Sequence, residues 1–489
     1  MDDLKFGTSG LRGLVTKLVG APTYKYTYAF CKSVALTGDC RRVLLVGYDL
    51  RSSSAGIADT VADAAIEAGF EVFDCGAVPT PALALEAIRM NALAVMVTGS
   101  HIPDDRNGLK FYRPDGEITK DDEKLIASFI TDFGHAIHVT KSASPRIKHR
   151  CAIENYARRY LDVFSPSSLS GLRIIVYQQS SVSRDLLASI LESLGATVSL
   201  IGRSDAFVPI DTEAHGIDDI QFISNVMSNN EFDALVTTDG DGDRPLVADA
   251  SGNIVPGDIL GLIASLYLAA DSVVVPVTAR SAIDDMGRFQ HVLRTRVGSP
   301  FVIAGINDLK AMGGKTVVGF EANGGFLLGS DVYINDKFLQ ALLTRDAILP
   351  ILATFIYIKR LGLPLSQFVS NLSTGETASG RLSNIPLDFS KYLVSSLEGF
   401  DFSTNFLRPI GDLENICVQD GVRMRISRDR VIHFRASGNA PELRCYTEAK
   451  SIVDAEELLQ WGLRAASAAL DSYRSSSAGK LLPSPVVPD

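Results

Sequence analysis

Several features that mark other protein classes are absent from this chain of 489 residues. Its six cysteines are scattered and form no Cys-x-x-Cys pair, so we expect reduced thiols in a reducing compartment rather than a disulfide scaffold. No long Lys/Arg run occurs, and 47 basic against 57 acidic residues leave a net charge of −10, which argues against non-specific nucleic-acid binding. The most apolar helical stretches, 259–270 and 348–358, are shorter than the ~20 residues that span a membrane, and the charged start of the chain lacks the apolar segment of a signal peptide. We therefore expect a cytoplasmic protein that binds neither nucleic acid nor a membrane.

Short apolar segments typical of strands alternate with helical patterns through most of the chain. The predicted strands form three sets: 43–46, 71–73 and 93–97; 172–177, 197–201 and 234–237; and 272–277, 291–294 and 316–318. This alternation predicts an α/β protein with three successive α/β domains and mixed sheets. After about residue 365, a strand pair at 422–426 and 431–434 precedes a helix that we expect to start at Asp454 with Glu457, which predicts a smaller α+β domain. The predicted domains are 1–148, 149–254, 255–366 and 367–474, followed by a disordered tail, 475–489.

The third predicted strand of each α/β set runs into a polar loop. We name these the serine loop (residues 98–103), the aspartate loop (239–244) and the glutamate loop (321–325). Ligands in α/β proteins bind beyond the carboxyl ends of the strands. The three loops are therefore the first places to look for a functional site.

The aspartate loop carries the strongest chemical signal. Asp239, Asp241 and Asp243 alternate with two glycines directly after an apolar strand. Three carboxylates so close repel one another unless a cation joins them, and oxygen ligands suit Mg²⁺. An EF-hand is excluded because the twelfth loop position is Ala250 rather than Glu. An ordinary acidic turn is the alternative, but it gives no reason for the third Asp.

The serine loop places the hydroxyl of Ser100 beside the imidazole of His101 in a tight turn, and Lys110 follows in the same region. A serine next to glycine is usually turn chemistry, and a lone histidine is more often a structural hydrogen bonder than a catalyst. A lysine acts as a general acid or base near neutral pH only where its surroundings depress its pKa.

Two further segments offer cations to an anion. The arginine loop (residues 435–444) flanks a Ser-Gly-Asn turn with Arg435 and Arg444, an arrangement suited to phosphate, although a solvated loop fits the pattern equally well. The N-terminal Gly-rich segment carries Arg12 and lacks the ending of a Walker A motif.

Taken together and in their order along the chain, these five segments resemble the α-D-phosphohexomutase family, which includes phosphomannomutases and phosphoglucomutases. The resemblance spans nearly the whole chain. It implies four domains around a central cleft, a phosphoserine in the resting enzyme and bound Mg²⁺. It also implies that hexose 1-phosphate and hexose 6-phosphate are interconverted through a hexose 1,6-bisphosphate, which serves as activator.

The resemblance also implies roles for individual residues. The catalytic residues by this resemblance are Ser100 as the phosphoserine, Lys110 as general acid/base, and His101, Arg12 and Arg244. The metal ligands are Ser100, Asp239, Asp241 and Asp243. The substrate-binding residues are Glu321 and Asn323 for sugar hydroxyls, and Arg435, Ser437, Gly438, Asn439 and Arg444 for phosphate.

The chain departs from the usual family motifs in three loops. The family serine loop reads Ala-Ser-His-Asn-Pro, whereas here Gly99 precedes Ser100; Asn323 stands where Ser is common, and Asn439-Ala440 replaces Thr-Glu. These changes keep the reacting groups and leave the sugar preference open, with mannose phosphates favoured by the Glu-Ala-Asn-Gly-Gly loop and glucose phosphates as a second use. A Mg²⁺-dependent phosphatase and a non-catalytic sugar-phosphate-binding protein are the alternatives, and we expect a monomer or homodimer.

Overall fold

The computed structural model describes residues 4–7, 10–33, 42–141, 146–228, 231–427, 429–436 and 441–475. These residues form two compact units. The first contains the chain up to Val274 together with Phe289–Leu293 and Gly298–Asn371. The second contains Val275–Arg288, Arg294–Val297 and the chain from Leu372 onward.

The first sheet is built from the N-terminal strands: β1 (Lys5–Phe6), β2 (Leu11–Leu14), β3 (Val43–Tyr48), β4 (Glu71–Ala77), β5 (Leu93–Val97), β6 (Arg106–Arg113), β7 (Gly116–Glu117) and β8 (Ile147–Lys148). The strand order is β1-β2-β6-β5-β3-β4-β8, with β7 paired to β6. β3, β4 and β5 are parallel, and β5 pairs with β6 antiparallel. The five residues of β5 are all buried, as expected for a parallel strand covered by helices on both faces.

Two five-stranded sheets follow. The second has the order β10-β9-β11-β12-β13 and the third β15-β14-β16-β17-β20. Their strands are β9 (Arg173–Gln179), β10 (Thr197–Arg203), β11 (Ala234–Thr238), β12 (Pro245–Asp249), β13 (Ile254–Val255), β14 (Ser272–Pro276), β15 (His291–Thr295), β16 (Val317–Phe320), β17 (Phe326–Leu328) and β20 (Leu342–Asp346). A separate hairpin consists of β18 (Val332–Ile334) and β19 (Lys337–Leu339).

The three chemistry-bearing loops occupy the same topological position in their sheets. Each joins the last parallel strand to an antiparallel partner: β5 to β6, β11 to β12, and β16 to β17. Parallel strands present their carboxyl ends at one edge, so the turn after β3, which holds Asp49 and Arg51, reaches the same edge as the serine loop.

The last sheet lies in the second unit and has the order β21-β25-β24-β23-β22. Its strands are β21 (Glu376–Ser383), β22 (Leu413–Cys417), β23 (Val422–Ile426), β24 (Arg430–Ala436) and β25 (Glu442–Ala449), all antiparallel. β23 alternates buried and half-buried residues, and its buried Met424 and Ile426 belong to the core of this unit.

Helices connect the strands and cover the sheets. They are α1 (Val15–Leu18), α2 (Ala21–Ser33), α3 (Ser54–Glu67), α4 (Thr80–Met90), α5 (Lys120–Phe133), α6 (Cys151–Leu161), α7 (Arg184–Ser193), α8 (Ile217–Ser228), α9 (Gly257–Tyr267), α10 (Ala282–Asp285), α11 (Ser299–Ala311), α12 (Ile348–Leu361), α13 (Leu365–Leu372), α14 (Leu387–Leu397), α15 (Phe400–Leu407) and α16 (Ile452–Ser475). Within the described ranges no single helix has the length and apolar character to cross a membrane; the pair α12 and α13, bent by 91°, meets the test by length and composition only. The residues of α12 are mostly buried in the protein core.

The predicted α/β class is confirmed, and each predicted strand is present with small shifts at its ends. One helix start was wrong. α16 begins at Ile452, where the Ser451 hydroxyl accepts from the Asp454 amide (3.2 Å) and donates to the Asp454 carboxylate (2.7 Å), so the cap lies three residues before the predicted one. The four-domain division stays a prediction, and the proposed tail beyond residue 475 lies outside the described residues.

Candidate active site

Ser100 is fully buried at the turn after β5 and is joined directly to the aspartate loop. Its Oγ donates to Asp239 Oδ2 at 2.6 Å. Its φ of 57° lies in the left-handed region, which costs a non-glycine residue on the order of 1–3 kcal/mol. The Ser100 amide donates to Thr98 Oγ1 at 2.7 Å, and the Thr98 hydroxyl in turn donates to Asp49 at 2.6 Å. The buried Asp49 therefore helps to hold the serine in its strained conformation.

Arg51 is the central support of the serine loop. Its two terminal nitrogens donate to four backbone oxygens: those of Ser100 (2.9 Å), Ile102 (2.5 Å), Pro103 (2.7 Å) and Arg106 (3.0 Å). Its Nε donates to Asp49 Oδ2 at 3.2 Å, so that all five N–H donors of the guanidinium are used. Both side chains of this ion pair are 0% exposed. In the sequence, the only indication of this residue is that it follows a strand end at the same edge of the sheet.

Two neighbours of Arg51 show how tightly this junction is packed. The guanidinium stacks on Phe207, with its central carbon 3.9 Å from the ring centroid. A Cβ added to Gly99 would lie 2.6 Å from the same carbon. Gly99 therefore leaves room for the guanidinium.

The aspartate loop brings three buried carboxylates together. Oxygens of Asp239, Asp241 and Asp243 lie within 4.8 Å of one another. Asp241 Oδ1 and Asp243 Oδ1 are buried and have no hydrogen-bond partner among the described residues. Buried carboxylate oxygens without a hydrogen bond, in a set of hard oxygen donors, fit a divalent cation such as Mg²⁺.

One residue of the first sheet and one of a neighbouring helix hold this loop. Lys110 on β6 donates to Asp241 Oδ2 and Asp243 Oδ2, both at 2.6 Å. Thr80, at the start of α4, donates to Asp241 through its hydroxyl (2.5 Å) and through its amide to the Asp241 carbonyl oxygen (2.9 Å). The N-terminus of α4 thus adds two donors to a negatively charged loop.

Burial and neighbouring charges shift the pKa values of the three carboxyl groups in different directions. Burial, with the charges of Asp241 and Asp243, raises the pKa of Asp239 well above its usual value. Burial alone would raise the pKa of Asp241 as well, but the ion pair and hydrogen bond with Lys110 lower it below the usual range. Burial acts to raise the pKa of Asp243 too, but the charges of Arg345, Lys110 and Arg244 together lower it below its usual value.

His101 lies next to the serine, with its Nδ1 3.4 Å from Ser100 Oγ, and Arg244 and Arg12 add two cations to the cluster. Arg244 donates to His101 Nδ1 at 3.0 Å, and its Nε lies 3.9 Å from Asp239 Oδ2. Burial and the Arg244 charge lower the pKa of His101 to about 3, so the imidazole is a neutral acceptor near neutral pH. Burial and repulsion from Arg244 and Arg345 lower the pKa of Arg12 to about 10, which still leaves it charged.

The glutamate loop meets the aspartate loop through an arginine that the sequence did not indicate. Arg345, on β20, donates its Nε to Asp243 Oδ2 at 3.2 Å and a terminal nitrogen to Glu321 Oε2 at 3.0 Å. Asn323 Oδ1 accepts from the Gly325 amide at 2.9 Å, and the Asn323 carbonyl oxygen accepts from Thr212 at 2.7 Å. The predicted sugar-binding loop is therefore a tight turn fixed on both sides.

The predicted phosphate-binding arginines lie in the second unit. Arg435 on β24 pairs in register with Arg444 on β25, and Arg444 pairs with Arg381 on β21. Directly opposite residues of antiparallel strands share a face, so three arginines form a row across the sheet. Arg435 Nε lies 2.9 Å from Asp420 Oδ1. The other three predicted residues, Ser437, Gly438 and Asn439, lie outside the described residues.

Within the first unit the structure thus brings the serine, aspartate and glutamate loops together with Lys110, Arg12 and Arg244. Sequence reasoning missed the residues that support them, namely Asp49, Arg51, Thr80, Phe207 and Arg345. Asp49 and Arg51 follow a strand end, the same signal that identified the other loops. Arg345 has no such signal, because its partners lie 24 and 102 residues away.

Comparison with known proteins identifies related chains over nearly the full length. Residues 3–134 match the family described as "Phosphoglucomutase/phosphomannomutase, alpha/beta/alpha domain I", and residues 256–374 match the description "alpha/beta/alpha domain III" of the same family. The phosphomannomutase of Salmonella muenchen is 45% identical over 466 residues, which covers 94% of this chain and 94% of that protein. The phosphomannomutase of Sinorhizobium fredii is 43% identical over 94% of this chain and 98% of that protein.

A solved structure shows the same fold. The phosphoglucomutase/phosphomannomutase family protein from Burkholderia thailandensis superposes with a TM-score of 0.73 at 19% sequence identity. The match covers 97% of this chain and 98% of that chain.

Proposed function

The chain belongs to the phosphoglucomutase/phosphomannomutase family, and from that premise we propose that it interconverts hexose 1-phosphate and hexose 6-phosphate with mannose phosphates as its substrates. The two phosphomannomutases at 45% and 43% identity support mannose as the sugar. The observation that carries the proposal is the buried contact of Ser100 Oγ with Asp239 at 2.6 Å, inside a cluster of carboxylates and cations. Such a cluster can stabilise a phosphoryl group on the serine.

In the proposed reaction, phosphorylated Ser100 transfers its phosphoryl group to the free hydroxyl of a bound hexose phosphate. The bond between phosphorus and Ser100 Oγ breaks, and a bond to the sugar oxygen forms, giving a hexose 1,6-bisphosphate. The bisphosphate then turns over and returns its other phosphoryl group to Ser100. Lys110, whose Nζ lies 2.6 Å from both Asp241 Oδ2 and Asp243 Oδ2, is the candidate acid/base through which the proton of the sugar hydroxyl would pass to the departing serine oxygen.

The proposed metal is Mg²⁺, held by Asp239, Asp241, Asp243 and the phosphate on Ser100. Bound there, it supplies positive charge against the roughly −1.5 to −2 charge of a phosphoserine. The two buried carboxylate oxygens that lack a hydrogen bond, Asp241 Oδ1 and Asp243 Oδ1, support this assignment. Arg12 and Arg244 would add charge to the reacting phosphate, and the neutral His101 would orient Arg244 through their 3.0 Å contact.

Substrate binding is assigned to the remaining predicted residues. Glu321 and Asn323 would bind sugar hydroxyls, and the arginine loop, with Arg435, Ser437, Gly438, Asn439 and Arg444, would bind the phosphate that is not reacting. The row of arginines across the sheet supports this, because guanidinium groups suit phosphate oxygens; Arg435 is also paired with Asp420, and Arg381 with Glu442. Four domains around a central cleft, a monomer or homodimer, and a hexose 1,6-bisphosphate activator complete the proposal.

The decisive experiment is intact-mass analysis of the purified enzyme after treatment with glucose 1,6-bisphosphate. We expect the mass of one phosphoryl group to be added and peptide mapping to locate it on Ser100. Ser100→Ala should remain unmodified and lose nearly all mutase activity, whereas Ser52→Ala, an exposed serine of the neighbouring turn, should behave as wild type. Removal of divalent cations with EDTA should abolish turnover of mannose 1-phosphate, and added Mg²⁺ should restore it.

The alternatives predict different outcomes of the same assay. Release of inorganic phosphate without hexose 6-phosphate would indicate a phosphatase. Tight sugar-phosphate binding without either product would indicate a binding protein. Normal turnover by Ser100→Ala would overturn the phosphoserine mechanism.

A further inference from the structure

Arg345 is the one cation that the described residues pair with Glu321. Both side chains are 3% exposed, and the distance between Arg345 and Glu321 Oε2 is 3.0 Å. Asp243 is different, because it keeps Lys110 at 2.6 Å in addition to Arg345 at 3.2 Å. Loss of the guanidinium would therefore leave Glu321 as a buried carboxylate without a counter-charge, while Asp243 would still be paired.

The backbone of the glutamate loop is shaped to accept the stem of Arg345. A Cβ added to Gly325 would lie 2.4 Å from Arg345 Cδ and 2.7 Å from its Cγ. The Gly325 carbonyl oxygen accepts from the Glu321 amide at 3.1 Å, which closes the turn that carries the carboxylate. The arginine thus contacts the loop twice, once at the backbone of Gly325 and once at the side chain of Glu321.

These contacts fix one oxygen of Glu321 and the backbone of its turn. A carboxylate held in one orientation presents a defined acceptor to a sugar hydroxyl, whereas a rotating carboxylate loses that geometry. Arg345 itself is buried between the two carboxylates it joins. It acts on recognition through Glu321.

We propose that Arg345 is a positioning residue for sugar recognition, which orients Glu321 for the sugar hydroxyls and acts through that carboxylate rather than through the aspartate loop. This inference rests on the proposed function, in which Glu321 binds the sugar. It extends that function to a residue outside every motif of the chain.

The test is a double-mutant cycle on kcat/KM for mannose 1-phosphate, with Arg345→Gln, Glu321→Gln and the double variant. Arg345→Gln should lower kcat/KM by roughly 10- to 100-fold, the range expected for a charged hydrogen bond. In the Glu321→Gln background the same change should cost less than about threefold, because the partner through which it acts is gone. Equal losses in the two backgrounds would show that Arg345 contributes only to the fold, and would overturn the inference.

A second variant approaches the same contact without removing charge. Gly325→Ala should displace the Arg345 stem and lower kcat/KM in the same direction, and its effect should likewise shrink in the Glu321→Gln background. Wild-type kinetics for Gly325→Ala would contradict the proposed packing. Thermal unfolding of every variant keeps loss of fold apart from loss of positioning.

The Mg²⁺ concentration for half-maximal activity shows whether Arg345 acts through Glu321 or through Asp243. It should change less than about threefold in Arg345→Gln, because Asp243 keeps Lys110. An increase in the Mg²⁺ requirement matching the loss of kcat/KM would assign Arg345 to the aspartate loop and overturn the inference. Arg113→Gln, which breaks a 2.9 Å pair with Asp122, is the matched control and should leave both quantities unchanged.

The cycle also separates this inference from the proposed function. If Glu321→Gln alone leaves kcat/KM unchanged, the proposed role of the glutamate loop fails and the inference fails with it. If Glu321→Gln is impaired and the cycle is additive, only the role of Arg345 is overturned.

Discussion

The serine loop and the arginine row use the same side chain in opposite ways. Arg51 is 0% exposed, and all five of its N–H donors are taken by the protein itself. Arg435 is 18% exposed, stands in a row with two other arginines, and has Asp420 as an ion-pair partner at 2.9 Å. Arg51 stabilises the backbone of the strained serine loop. Arg435 keeps cationic surface accessible to an anion.

Under the proposed function, the difference follows from what each region would have to do. Phosphoryl transfer depends on the position of the attacking and leaving oxygens, so the support of Ser100 has to be rigid before substrate arrives. A phosphate anchor gains its affinity from donors that the protein has not already satisfied. We therefore expect changes at Arg51 to act on kcat and changes at Arg435 to act strongly on KM.

The largest effect is expected for Arg51→Lys. An ammonium cannot serve four carbonyl oxygens and a carboxylate, so the serine loop should shift and kcat should fall by about 100-fold or more, the loss typical of a 1 Å misplacement. KM should change little, because Glu321 and Arg435 are untouched. Steady-state kinetics and phosphate incorporation at Ser100 measure the two effects.

Arg42→Lys is the matched control for Arg51. Arg42 also lies over an aromatic ring, that of Phe70 at 5.9 Å, but on the surface. It should leave kinetics unchanged. A wild-type kcat for Arg51→Lys would show that the serine loop does not depend on the Arg51 guanidinium.

A smaller effect is expected for Arg435→Ala. Loss of one charged hydrogen bond to phosphate should lower kcat/KM by roughly 10- to 100-fold, mainly through a higher KM, with a lower kcat because a misheld bisphosphate cannot present its second phosphate. Arg381→Ala tests whether the outer member of the row contributes. Arg464→Ala on the exposed face of α16 is the control. Unchanged kinetics for Arg435→Ala would assign the arginine loop to ordinary surface structure.

The smallest effect on catalysis is expected at His433, which acts on stability and its dependence on pH. His433 lies on β24, and its Nε2 contacts the Asp420 carbonyl oxygen. Burial lowers the pKa of His433 from its usual 6.5 to about 4. Between these values the unfolded chain binds a proton that the folded chain does not, so the stabilisation is complete above pH 6.5 and is lost as pH falls toward 4. The full difference is about 3 kcal/mol.

His433→Gln should therefore flatten the loss of stability between pH 7 and pH 4.5 while leaving activity at neutral pH intact. Denaturant unfolding at both pH values measures the change. His135→Gln, at an exposed position, is the control and should keep the wild-type slope. An unchanged slope in His433→Gln would mean that the ring does not titrate as described.

Much of the fold and the reacting part of the site could be predicted because their signals are local. Each of these signals is contained in a short segment of the chain. They are the apolar run of β5, the glycines and carboxylates of the aspartate loop, and the turn with Glu321 that directly follows a strand. The start of α16 was misplaced because two capping patterns overlap there, and the hydroxyl of Ser451 rather than the carboxylate of Asp454 makes the cap.

The sequence by itself determined which groups are available for chemistry: a serine and three aspartates in turns that follow strands, a lysine on the next strand, and arginines. Only the tertiary structure decided how they are supported. Arg51 binds backbone oxygens up to 55 residues away, and Arg345 binds a carboxylate 102 residues away. Every residue carries a carbonyl oxygen, and many carry a carboxylate, so such partners leave no pattern in the chain. Their identity depends on which strand ends the sheets bring to the same edge.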